Sequence, residues 1–236
     1  MIGRVRTVRG ALVLLLVAGC TVPPRPAPKP PPPPVRIMPL GDSITLGSDL
    51  GGNVGPERCL DGSYRRHLWA MLTKAGKRVD FVGSAADPCE TRPQFRGKWD
   101  FDHEGHWGFP IEAVLGQIRS WARAAKPDIV LIHLGTNDLS YFGDDAAGAV
   151  ADMEDLIAAL RGVNRKVRIL VAKVMPTTVV DVRRYNTLLG QMGSRLGVQV
   201  VDMYSGFQMS WLRDIEHPDA NGDRFLAQRW FAALRL

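Results

Sequence analysis

Five short apolar runs alternate with amphipathic stretches of helix length between residues 35 and 234. That alternation predicts an α/β fold, a three-layer α/β/α sandwich around a five-stranded parallel sheet. Strands separated by helices must be joined by crossovers, and such crossovers are right-handed. The run at 129–134 is near-continuously apolar, as a strand covered on both faces is. Residues 37–236 can bury one sizeable core, so a single domain is expected, and no internal repeat interrupts it.

The elements follow in order. Val35–Leu40 reads as the first strand. Tyr64–Lys74 reads as a helix with Leu68, Met71 and Leu72 on one side, closed by Gly76. Val79–Val82 is the second strand. A helix opens at Pro110 and runs to about Ala125, where Pro127 stops it. Ile129–Leu134 is the third strand. Asp144 or Asp145 caps a helix running through Leu160. Val167–Val174, a helix over Val182–Leu196, the strand Val198–Val201 and a last helix from about Asn221 to Leu234 complete the series. Residues 47–62 and 84–109 lack periodicity. Long irregular segments in a compact domain are usually functional loops or disorder. These two follow the first two strands, on the side where α/β sites form, and are expected to wall a crevice.

The termini bound the setting. Arg4, Arg6 and Arg9 precede the short apolar run Ala11–Val17, far below the roughly 20 residues of a membrane-spanning helix. Residues 1–19 therefore read as an export signal. Val17-Ala18-Gly19-Cys20 resembles a bacterial lipobox, which would lipidate Cys20 and anchor the chain to a membrane facing outward. An ordinary secretory signal with a chance cysteine is the alternative. Residues 20–36 read as a tether, with nine prolines between positions 23 and 34. Such a stretch favours polyproline II, about 3.1 Å per residue, or else serves as a passive disordered tether. The net charge of +6 comes from the same region: residues 1–36 hold Arg4, Arg6, Arg9, Arg25, Lys29 and Arg36 and no acid, so 37–236 is formally neutral. That removes the main support for a nucleic-acid partner. Setting Cys20 aside leaves Cys59 and Cys89, an even pair that is expected to form a disulfide in an oxidising compartment. No CxxC spacing accompanies them, so no zinc site is expected there.

The chemistry lies at two short strings. Ser43, in Gly41-Asp42-Ser43-Ile44-Thr45, follows the first strand, where a side chain faces the crevice of an α/β domain. A serine hydroxyl needs a base to take its proton, and the base must itself be oriented. Asp214-Ile215-Glu216-His217-Pro218 supplies both, because a helical turn or tight loop sets Asp214 beside the His217 imidazole. Ser43 is thus the candidate nucleophile, His217 the general base and then acid, and Asp214 the orienting carboxylate. A helix N-cap is the blander role for Ser43. Asp42 supports the turn. Glu216 is read as solvated, though it rivals Asp214 for the carboxylate role.

These strings resemble the first and last blocks of the GDSL/SGNH hydrolases. Gly135-Thr136-Asn137-Asp138 resembles their third block, and His103-Glu104-Gly105-His106-Trp107-Gly108 sits where the glycine-bearing second block belongs. Pro39–Thr45, Gly62-Ser63-Tyr64-Arg65 and Asp80-Phe81-Val82-Gly83-Ser84 are similar to one branch, carbohydrate esterase family three, the acetylxylan-esterase-like group. The resemblance spans Ser43 to His217 and implies a flavodoxin-like SGNH fold. It also implies an oxyanion hole built from the Ser43 N–H, a second-block glycine N–H and the Asn137 amide. Gly108 is preferred to Gly105 for that glycine. Where the family's esterase branch has a small residue, this chain has Trp107, which can support a sugar ring or narrow the acyl pocket. A turn-forming asparagine is the plainer role for Asn137.

Three other features are weighed more modestly. His103 and His106 flank Glu104 but lack a third ligand of suitable spacing, so loop hydrogen bonding is expected rather than metal. His133 reads as a satisfied core histidine. Trp99, Trp107 and Trp121 can stack on carbohydrate, though at least one is expected to be plain core.

The expected function is removal of O-acetyl groups from carbohydrate, acetylated xylan, another polysaccharide or peptidoglycan, through an acetyl-Ser43 intermediate. No cofactor and no metal are called for, and a monomer is expected. The alternatives are a lipolytic esterase, lysophospholipase or thioesterase of the same superfamily, and a non-catalytic carbohydrate-binding lipoprotein. The loops read Gly-, Asp-, Arg- and Trp-rich rather than as an apolar lid, which favours sugar.

Overall fold

Residue parity along each strand decides which side of the sheet it covers, and here both sides are covered. In the computed structural model, residues 31–53, 63–85, 93, 97 and 99–236 are described. Strands β1 (Val35–Gly41), β2 (Val79–Phe81), β4 (Ile129–His133), β5 (Arg168–Ala172) and β6 (Gln199–Val201) are parallel, in the order β2-β1-β4-β5-β6. Ile37, Ile129, Leu131 and Leu170 face one core, which also contains Leu68 and Leu72 of α2 (Tyr64–Lys74) and Leu226 and Trp230 of α8 (Ala220–Leu234). Met38, Leu40, Val130, Ile132 and Val171 face the other. Four helices cover that side: α3 (Ile111–Leu115), α4 (Ile118–Ala125), α6 (Ala146–Val163) and α7 (Arg183–Leu196). The three-layer α/β/α sandwich expected from the alternation is the observed architecture. Pro33–Leu236 forms one compact unit; of the preceding unit only residues 31 and 32 are described, and they carry no regular secondary structure.

Two short elements supplement the expected ones at the carboxyl end of the sheet. A sixth strand, β3 (Glu104–Gly105), pairs parallel with β1 through Leu40↔Glu104 and Gly41↔Gly105. It continues the edge that β2 occupies further down, where Val35 pairs Val79. The excursion between them begins and ends at an antiparallel bridge, Ala85↔His103. A two-residue strand has no alternation to read, so sequence pattern misses it. Two single-turn helices start directly after strands: α1 (Ser43–Leu46) and α5 (Thr136–Ser140).

The expected helix from Pro110 is in fact two. Gly116 caps α3 and Gln117 precedes α4, because glycine carries a helix penalty of about 1 kcal/mol relative to alanine. Asp145, rather than Asp144, caps α6 by accepting from the Ala147 and Gly148 N–H groups. Leaving aside the two-residue β3, the strand order is 2-1-3-4-5, whose switch point lies between β1 and β4. Ligands bind at such a point because the chains leaving the two strands part there. Ser43 follows β1 and Asn137 follows β4.

Candidate active site

The turn that carries Ser43 is built by its neighbour. Asp42 is the N-cap of α1, and its Oδ1 accepts from the Ile44 N–H at 2.9 Å. This is the supporting role its sequence position implied. Burial lifts the Asp42 carboxyl to about 7 against the opposing pull of that N–H. With Ile44 served by the cap, the Ser43 N–H has no acceptor among the described residues.

Ser43 Oγ lies 2.9 Å from His217 Nε2, and His217 Nδ1 lies 3.0 Å from both carboxylate oxygens of Asp214. Asp214 is not presented by a helix. Its Oδ1 accepts from the backbone N–H groups of Glu216 (3.0 Å) and His217 (2.7 Å), folding 214–217 into a tight loop. Burial would raise the Asp214 carboxyl, but those N–H groups and the imidazole together hold it below its ordinary value. The loop is pinned from outside as well: Thr178 N–H donates to the Ile215 carbonyl at 2.9 Å, and Arg213 donates to the Ser48 carbonyl. An aspartate that keeps its charge beside Nδ1 fixes the tautomer in which Nε2 can accept the serine proton.

Glu216 corrects the sequence reading. It is buried rather than solvated, and it does not compete for the imidazole. Tyr141 Oη donates to its Oε1 at 3.1 Å, and burial, with Asp214 nearby, raises its carboxyl.

The second block folds on itself. Glu104 is fully buried; its Oε1 bonds His106 Nε2 and Ser84 Oγ, each at 2.7 Å, and its Oε2 accepts from the Ser84 N–H. His106 stacks between Phe109 and Trp121, with centroids 5.0 and 4.5 Å away. His103 Nδ1 accepts from the Gly105 N–H at 2.9 Å. Both histidines therefore make loop hydrogen bonds. The bond to His103 also separates the two candidate glycines: the Gly105 N–H is engaged, whereas that of Gly108 has no acceptor among the described residues. Gly108 lies at φ +71°, in the left-handed region, and faces the same crevice as Ser43.

Asn137 faces that crevice too. One of its amide N–H bonds goes to the Phe109 carbonyl at 3.2 Å, leaving the other available. Gly135 makes this approach possible: it sits at φ +117°, and a Cβ there would lie 2.4 Å from the Tyr185 ring. Asp138 ties the two loops together by accepting from the Ile111 N–H at 2.8 Å, with its carboxyl lifted by burial to about 6.

Leu50, Trp107, Tyr141 and Phe142 rim a crevice of about 380 Å³ whose floor includes Ser43. Both aperiodic segments contribute to it, through Leu50 and Trp107. Trp107 is half exposed and lies against Gly52, whereas Trp99 is buried against Phe101 and Trp121 packs on the core. Cys20, Cys59 and Cys89 lie outside the described residues.

Sequence reasoning placed Arg65 in a family-like string but gave it no role. Its buried guanidinium donates to the carbonyls of Thr45 (2.8 Å), Leu46 (3.2 Å) and Phe101 (2.9 Å) and to Ser63 Oγ (3.1 Å). It thus joins the Ser43 turn, α2 and the loop before β3. The signal was present: Arg65 stands three and seven residues before Leu68 and Leu72, on the apolar stripe of α2. His133 is a second correction. It is buried, but neither ring nitrogen has a hydrogen-bond partner among the described residues, and burial lowers it to about 4.

The GDSL-like Lipase/Acylhydrolase family model matches residues 40–225. The chain belongs to this family. It is a carboxylic ester hydrolase with the SGNH fold. A carbohydrate esterase family 3 structure from Talaromyces cellulolyticus superposes with a TM-score of 0.72 at 32% identity, covering 85% of this chain and 96% of that one. The Clostridium thermocellum family 3 carbohydrate esterase gives 0.68 at 29%, covering 84% and 94%. Among curated proteins, a multidomain esterase of Ruminococcus flavefaciens is 27% identical over 89% of this chain. The chain spans only 29% of that protein's length.

Proposed function

We propose that this protein is a serine esterase that removes O-acetyl groups from carbohydrate. The observation that carries the reading is the Asp214–His217–Ser43 chain of hydrogen bonds, opening beneath an aromatic-rimmed crevice. Its similarity to carbohydrate esterase family 3 structures supports the substrate class.

His217 Nε2 takes the Ser43 proton as Oγ attacks the ester carbonyl carbon. The developing oxyanion is held by the Ser43 and Gly108 N–H groups and by Asn137 Nδ2. Collapse breaks the bond to the sugar oxygen, which leaves with the proton now on Nε2. A water then attacks acetyl-Ser43, giving its proton to Nε2, and acetate departs as Oγ recovers that proton. Asp214 stabilises the imidazolium in both halves.

The reading extends to location: export through residues 1–19, a lipid on Cys20, a Pro-rich tether to residue 36 and a Cys59–Cys89 bridge, as the sequence motifs propose. Cys20→Ser should release the protein from membranes, and neither Cys59 nor Cys89 should alkylate before reduction.

The test of function is acetate release from acetylated xylan and O-acetylated peptidoglycan, beside 4-nitrophenyl acetate and octanoate. Ser43-dependent release from a polymer with little octanoate cleavage is expected. Octanoate preference without polymer activity would move the function to lipolysis, and no turnover on any ester would overturn it.

A further inference from the structure

Charge in the domain is segregated along the strand axis. Because the strands are parallel, α2, α4, α6 and α7 each return the chain to the amino end of the sheet, away from Ser43 and the crevice. The turns that follow them there, 75–78, 126–128, 164–167 and 197–198, all lie within the described residues. The first carries Lys77 and Arg78, the second Lys126, and the third Arg165 and Lys166; all but the half-buried Lys77 are exposed. The turns lie side by side: the Val35 N–H donates to the Arg78 carbonyl, the Asp128 N–H to the Arg36 carbonyl and the Arg168 N–H to the Asp128 carbonyl, each at 2.9 Å. Neighbouring strands stand about 4.8 Å apart, so these cations form one patch. A basic residue in the last turn offsets a helix dipole, which accounts for Lys74, Arg123, Arg161 and Arg195. It does not account for Lys77, Arg78, Arg165 and Lys166, which lie beyond the helix ends. The acids of these turns and strand starts are Asp80 and Asp128, and Arg36 engages both, through Nε at 3.5 Å and its backbone N–H at 2.9 Å. Residues 37–236 are formally neutral, so the balancing acids lie elsewhere, Asp42, Asp138 and Asp214 among them at the crevice end.

We propose that this basic face docks on an anionic lipid bilayer and so holds the crevice turned away from the membrane. Two observations select that partner. The chain enters the domain on the same face: β1 begins at Val35, inside the patch, so the Pro-rich segment that precedes it joins the domain there. The cations are also spread across four neighbouring strands rather than gathered in a groove, which suits a plane of phosphate headgroups. A cavity of about 310 Å³ between the ends of α4 and α6, lined by Arg123, Lys126, Leu160 and Val163 among others, adds a recess for one such headgroup. This extends the proposed membrane location from the lipid to the domain itself, and it stands apart from the catalytic reading.

The test is co-sedimentation of the full chain, carrying Cys20→Ser to remove the lipid, with phosphatidylcholine vesicles that hold either no anionic lipid or about one-third phosphatidylglycerol. Two triple variants of equal net charge are compared. One carries Lys77→Gln, Arg165→Gln and Lys166→Gln on the face. The other carries Arg183→Gln, Arg184→Gln and Arg224→Gln at the opposite end, where α7 and α8 begin. Arg4, Arg6 and Arg9 are common to both, so the difference reports the face. A cation at an anionic surface is worth about fivefold in partitioning, so the face variant should bind the anionic vesicles about a hundredfold more weakly. The other variant should stay within about threefold of the unsubstituted chain. Both should cleave 4-nitrophenyl acetate at the unsubstituted rate, and the vesicle-bound chain should keep that rate because the crevice is at the far end. Equal losses in the two variants would reduce the effect to net charge and overturn the proposal. It is also overturned if the face variant loses nothing, if the chain does not prefer anionic vesicles, or if binding them slows turnover. Each of these results leaves the esterase reading in place.

Discussion

The floor and the rim of the crevice differ in how their polar groups are served. On the floor, Ser43 Oγ, both ring nitrogens of His217 and the Asp214 carboxylate all have partners at 2.7–3.0 Å within the fold. On the rim, Trp107, Tyr141 and Phe142 are half exposed or more, and Glu216 keeps one oxygen without a partner among the described residues. The floor is set before substrate arrives, whereas the rim is completed by what binds. Chemistry should therefore fail when the floor is altered, and selectivity should change when the rim is.

The largest effects should come from the floor. Ser43→Ala or His217→Ala should lower kcat at least about a thousandfold, with a melting temperature near wild type, since neither side chain belongs to the apolar cores. Assays on 4-nitrophenyl acetate with parallel thermal unfolding check this. Retained turnover would remove the distinction between the two regions. Next is Asn137→Ala, which should cost about a hundredfold in kcat while KM moves little, because an oxyanion donor acts on the transition state.

Arg65→Met probes the support of the floor. Three carbonyls lose their buried donor, and stability should drop by about 3 kcal/mol, read from urea unfolding. The smallest effect should be at the rim: Trp107→Ala should raise KM for acetylated sugars several-fold, about the strength of one aromatic contact, and leave kcat nearly alone.

The same two regions show what a sequence can and cannot reveal. That Ser43, Asp214 and His217 would meet was legible because each sits in a short string whose spacing has chemical meaning. The sheet was legible because its strands alternate with helices. Glu216 was misread because it lies between two motif residues in a loop, where no periodicity reports burial. Tyr141 and Phe142 went unnoticed because an aromatic pair after a single-turn helix has no pattern of its own. The bracing role of Arg65 was readable from the α2 stripe and was not drawn from it. The two-residue β3 has too few residues to show a period, although it is what brings Gly108 to Ser43.

Buried carboxylates behind the floor should also shape stability against pH. Asp42, at about 7, and Asp138, at about 6, stand above the ordinary 3.8 because burial disfavours their charge. Each therefore favours folding most fully below its unfolded value, and that contribution is lost as pH rises through 6 to 7. His133, lowered to about 4, acts in the opposite sense, losing its contribution as pH falls below 6.5. The urea midpoint should thus rise between pH 8 and 6.5. Asp42→Asn, which retains an oxygen to cap Ile44, should flatten that rise, and an unchanged slope would contradict the assignment.

The most direct test of the central claim, that His217 activates Ser43 for acyl transfer, is labelling with an organophosphonate followed by peptide mass spectrometry. A single adduct on Ser43 is predicted, forming in step with loss of acetate release, absent in Ser43→Ala and much slower in His217→Ala. Full inactivation with the adduct elsewhere, or acetate release that continues with Ser43 fully labelled, would contradict it.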